Sequence, residues 1–141
     1  MTHTHWLRAG IATVLIVELV AAVLVVIRAA QQSPSEADCR VVSGVFREWA
    51  SVGPDGEDRG EVIGAFAERT RAAADSVSSS SVRDDLNSWA EGADLLAEIR
   101  RGPAGAVDDN DPTLVRALGL VFGAADELRE DCPESYRVEA E

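Results

Sequence analysis

Lysine is absent from this chain and histidine nearly so: the only two, His3 and His5, fall within the first five of 141 residues. Nucleophilic sets of the serine–histidine–acid or cysteine–histidine kind need an imidazole beside the nucleophile. Residues 6–141 contain none, so these chemistries are excluded for the body of the protein. Positive charge comes from 13 Arg alone against 25 acids, a net of −12. Arginine without lysine, beside abundant Ala, Val, Gly and Asp, reflects the codon usage of a GC-rich genome. Residues 34–141 hold 24 of the acids and 11 of the arginines, a net of −13. Phosphate backbones repel such a surface, and no basic stripe interleaved with aromatics interrupts it, which excludes nucleic acid as a partner.

Other absences narrow the chemistry further. Two cysteines without a nearby histidine fall short of a closed zinc site. The acids Asp108, Asp109 and Asp111 around Asn110 lack the spacing of a calcium-binding EF-hand loop. His3 and the terminal amine read as a solvated tail rather than a copper or nickel site. Gly53, Gly56 and Gly60 surround a turn at Pro54 and Asp55 and do not form a phosphate-cradling loop. No cofactor, no metal and no catalytic residue is expected, so the chain reads as non-enzymatic.

What the chain does have is a run of nineteen residues, 9–27, uncharged except for Glu18 at its centre. A helix rises about 1.5 Å per residue, so about 20 apolar residues cross a hydrocarbon core. Arg8 and Arg28 flank the run, and Trp6 suits the headgroup belt. Glu18 opposes insertion by roughly 3 kcal/mol, whereas the large aliphatic residues favour it by a total of about 5. Insertion wins. A cleaved signal peptide is the competing reading. The run is too long and carries an acid, and cleavage after Ala30 or Ala29 places Arg28 or Ile27 where a small residue is needed. Residues 9–30 are therefore expected to be an uncleaved transmembrane signal anchor.

Within that span, no side chain one turn from Glu18 can hydrogen-bond: Val14 and Leu15 precede it, and Ala21 and Ala22 follow. Thr13, the only hydroxyl, points to the other side. An ionisable residue at mid-bilayer marks a functional site by default. A second transmembrane helix is the expected partner, from another protein or from a second copy of this chain. Gly10, Val14, Glu18, Ala21 and Ala22 form the packing face, whose small residues allow close approach. Ile11, Leu15 and Val25 crowd that face with larger groups, while Ile16, Val20, Val23 and Ile27 suit lipid. The competing reading is a protonated Glu18 bonded to a backbone carbonyl one turn back.

After a hinge at residues 31–34, apolar residues recur at helical spacing to about residue 133. Ser35 followed by Asp38 is a capping box, and the first helix carries Val42, Phe46 and Trp49 up to Gly53 and Pro54. The second spans about 61–77, with Val62, Ile63, Phe66, Thr70, Ala73 and Val77 on its apolar side. Residues 78–81 are serines, the last of which is expected to cap a third helix bearing Val82, Leu86, Trp89, Ala93, Leu96 and Ile99. Arg100, Arg101, Gly102 and Pro103 end it. Asp111 and Pro112 open the fourth, with Leu114, Leu118, Val121, Phe122, Ala125 and Leu128 inward. Asp84 and Asp85 read as ordinary solvated carboxylates. The fold class expected is all-α, one N-terminal transmembrane helix followed by an antiparallel four-helix bundle. Its parts are a tail at 1–8, the anchor at 9–30, the bundle at 35–133 and an acidic tail at 134–141.

Cys39 falls in the first turn of the first helix and Cys132 in the last turn of the fourth, both on apolar faces. An even number of antiparallel helices brings these two turns to the same end, so Cys39 and Cys132 are expected to form a disulfide. Disulfides persist outside the cytosol. Charge flanking the anchor separates the two topologies weakly, and the cysteines decide: N-terminus cytoplasmic, domain extracytoplasmic, in the plasma (inner) membrane. The layout resembles bacterial receptor sensory domains in architecture alone, and with the chain ending at Glu141 no cytoplasmic signalling part is expected. Two functions fit. One is an accessory or assembly subunit of a bacterial cell-envelope membrane complex, docking through the Glu18 face. The other is a membrane-tethered binding module for a small ligand or envelope protein.

Overall fold

Serine, aspartate and glycine at the helix ends set the elements of this protein. The computed structural model describes residues 33–53, 58–102 and 108–135. Among these residues there are four helices and no strand: α1 (Glu36–Ser51), α2 (Arg59–Ser76), α3 (Ser80–Arg101) and α4 (Pro112–Asp131). The Ser35 hydroxyl accepts from the Asp38 amide while the Asp38 carboxylate accepts from the Ser35 amide, so the capping box that opens α1 is complete. Asp111 caps α4 by accepting from the Thr113 and Leu114 amides, with Pro112 at the first helical position. Gly102 closes α3 behind Arg100 and Arg101, whose charges suit the helix C-terminus. The cap of α3 is Ser79 rather than Ser81. Four consecutive serines offer the same side chain, and contacts from elsewhere choose among them.

Neighbouring helices run antiparallel. Arg69 of α2 pairs with Glu48 of α1, Arg71 of α2 with Asp94 of α3, and Arg116 of α4 with Glu91 of α3. These exposed pairs contribute little energy, but they fix which ends adjoin. Small residues govern the spacing. At Gly92 of α3 a Cβ would lie 2.8 Å from both the Ala117 carbonyl oxygen and the Val121 side chain of α4. Gly60 of α2 likewise faces the backbone of α3 at Ala97 and Arg101. With Ala67, Ala74, Ala90, Ala93, Ala97, Ala117 and Ala124 also buried, α3 packs closely between α2 and α4.

Helix α1 closes the core with larger groups. Phe46 meets Trp89 edge-to-face at 5.0 Å, and Trp49 lies 5.0 Å from Phe66 and 5.9 Å from Trp89. Such pairs add about 0.5–1.5 kcal/mol each beyond the area they bury. Trp89 sits at the centre, fully buried, and its indole nitrogen has no hydrogen-bond partner, so packing alone holds it.

Three expectations about helix faces are corrected. Val62 is 45% exposed, Leu118 37% and Phe122 60%. The inward face of α4 is instead Ala117, Val121, Ala124, Ala125 and Leu128. Close packing against Gly92 selects alanine for the contact and turns the bulkier neighbours outward. The expected anchor at 9–30 lies outside the described residues. Among those described, no helix is long and apolar enough to cross a membrane.

Candidate functional site

Both cysteines lie at the end of the bundle where the chain arrives through Pro34. Cys39 is in the first turn of α1 and Cys132 caps α4. Their Cα atoms are 5.4 Å apart and they form a disulfide across 93 positions. The antiparallel order of four helices is what makes them meet.

Asp38, next to the disulfide, is the hub of this end. It is buried, and its carboxylate accepts four hydrogen bonds: from the Ser35 amide at 3.1 Å, the Ser78 amide at 2.8 Å, the Ser78 hydroxyl at 2.9 Å and the Ser79 amide at 3.3 Å. One side chain thus completes the capping box of α1 and holds the turn between α2 and α3, leaving Ser79 oriented to cap α3. The Ser81 hydroxyl donates to Asp131 at 2.8 Å, tying the start of α3 to the end of α4. The Ser135 hydroxyl and amide close the turn after α4 on the Cys132 carbonyl. Every helix terminus at this end is fastened to another element or to its own turn.

The electrostatics divide sharply. Burial pushes the Asp38 carboxyl up, but the hydrogen bonds from Ser78 and Ser35 overrule it and hold the group well below the usual carboxylate range. A carboxylate saturated with donors and held that low is a poor general base, so Asp38 is suited to fastening rather than to proton transfer. Asp85 behaves oppositely. Partial burial, then the charges of Asp131, Glu127 and Asp84, push it up to about 6. Asp85 is therefore no ordinary solvated carboxylate, because α3 and α4 bring three other acids around it.

Of the residues singled out in the sequence, the structure brings Cys39 and Cys132 together. Gly10, Val14, Glu18, Ala21 and Ala22 lie outside the described residues. Asp108 and Asp111 are engaged in a turn and a helix cap, and among the described residues no group of three or more His, Cys, Asp and Glu is arranged to hold a metal ion. The reach of Asp38 to Ser78 and Ser79 was not legible, since the capping box accounts for that aspartate locally. The sequence matches no protein-family model, no curated protein and no solved structure.

Proposed function

We propose that the chain is a non-enzymatic, single-pass membrane protein that serves as an accessory or assembly subunit of a bacterial cell-envelope membrane complex. It docks through the Gly10, Val14, Glu18, Ala21 and Ala22 face of its anchor. One juxtaposition carries this reading: in the sequence, an acid stands mid-way along an apolar run with only Val, Leu and Ala at one-turn spacing, ahead of a domain fastened at its disulfide end. In lipid, a partner helix bearing a cation, an amide or another carboxyl relieves the cost of Glu18. The disulfide supports an extracytoplasmic position for the bundle and a cytoplasmic N-terminus, since such bonds persist in oxidising compartments.

The experiment exchanges residues 9–30 for an unrelated leucine–alanine span that inserts equally well. Docking through the anchor predicts that the exchanged protein reaches the membrane, keeps its disulfide and loses its membrane partner. Retention of the same partner at wild-type level would show that the anchor is a passive tether.

A further inference from the structure

The side of α4 turned away from the core is apolar where a solvent-facing helix should be polar. Val115, Leu118 and Phe122 are 57%, 37% and 60% exposed. At i, i+3 and i+7 they share one side of the helix, with Gly119 between them. A Cβ at Gly119 or at Gly123 would meet nothing within 4 Å. Each glycine costs the helix about 1 kcal/mol relative to alanine. Gly92 repays that cost through the close approach of α4, whereas no contact inside the domain calls for Gly119 or Gly123. An exposed apolar stripe with glycines beside it leaves room for another backbone to come close.

Charge selects the occupant. Asp126 follows Phe122 by one turn with its side chain 75% exposed and Arg129 beside it, and the exposed Glu130 one turn further continues the rim. Asp109 is exposed at the other end, before the helix begins. Both arginines of α4 are engaged, Arg116 with Glu91 and Arg129 with Asp126 and over the Phe46 ring. A second copy of this chain would bring another net −12 and the same acidic rim. The same acidic rim and net charge oppose approach to an anionic bilayer surface.

The geometry points to the Val115, Leu118, Gly119 and Phe122 face as a docking surface for a protein helix that presents an apolar stripe flanked by Arg or Lys, on the same side of the membrane as the domain. This surface belongs to the bundle and goes beyond docking through the anchor. The apolar stripe supplies contact area, the glycines allow the helices to approach, and the acidic rim selects and orients the partner.

The test introduces p-benzoylphenylalanine at residue 122 of the full chain in its native membranes, with a reference probe at the exposed Glu68 of α2. The expected result is an adduct with a different protein, at least about fivefold stronger at 122 than at 68. Its cross-linked peptide carries an apolar helical stripe with Arg or Lys on its flanks. Combining Asp126→Lys with Glu130→Lys lowers that adduct at least about fivefold. Both sites are exposed, and unchanged helicity of the variant establishes that it is folded. The proposal is overturned by an adduct between two copies of the chain, by an adduct with lipid, by a linked peptide without flanking basic residues, by a yield at 122 no higher than at 68, or by an adduct that the charge reversal leaves unchanged.

Discussion

Replacing Asp38 by alanine removes an acceptor that serves four donors on two segments of the chain. Loss of its half of the capping box on α1, the bond from the Ser35 amide, costs about 1 kcal/mol. The Ser78 groups are exposed and regain water, but Ser79 is 2% exposed, and an orphaned buried amide costs about 1–3 kcal/mol. The sum is about 3 kcal/mol. For a domain of about 100 residues each kcal/mol shifts the melting temperature by about 4–8 °C, so Asp38→Ala should melt roughly 15 °C lower. Asp38→Asn keeps one acceptor oxygen and should fall between. The folded-state pKa of Asp38 lies below its ordinary 3.8, so its contribution is present above that value and is lost as pH falls through the folded-state value. Thermal unfolding followed by circular dichroism from neutral pH to about pH 2 tests both points. A shift of less than about 3 °C, or an acid limb as steep in Asp38→Ala as in wild type, refutes the reasoning.

Three further outcomes follow from the same contacts. Reducing the disulfide, or replacing Cys39 and Cys132 by serine, should cost about 4 kcal/mol by the chain-entropy account for a closure of 93 positions. Denaturant titration with and without reductant measures it, and a loss under about 1 kcal/mol contradicts it. Gly92→Ala should destabilise by about 2 kcal/mol, because α3 and α4 must part. Gly119→Ala, which meets open space, should stabilise by up to about 1, and equal effects in the two variants rule out that contrast. Asp85→Asn should raise stability at neutral pH by about 1 kcal/mol, a figure reduced for solvent screening. Because burial and neighbouring acids raise Asp85 to about 6, wild type gains stability as pH falls through that value, and the benefit of Asp85→Asn should vanish near about pH 4.

Local signals in the sequence carried most of the fold. The capping box at Ser35 and Asp38, the Asp111 and Pro112 start and the Gly102 stop are each decided within a few residues, and the structure has them where they read. The disulfide was legible because it needs only helix count and antiparallel order. The faces of α2 and α4 were less legible. Hydrophobic periodicity weights Val62, Leu118 and Phe122 above alanine, yet the contact between α3 and α4 is close enough to take Ala117 and Ala124 instead. Nor does a run of serines reveal its own cap: Ser79 is fixed by Asp38, some forty residues away in the chain. The raised pKa of Asp85 arises first from burial against the neighbouring helix and then from Asp131 and Glu127 on it, which no spacing within α3 discloses.

The most direct test of the proposed docking role is mild-detergent co-purification with mass spectrometry, running wild type beside Glu18→Leu after confirming equal membrane insertion. The account predicts that wild type brings down a stoichiometric membrane protein and that Glu18→Leu loses it. Recovery of the same partner in equal amount from both, or of the chain alone from both, would contradict docking through the anchor.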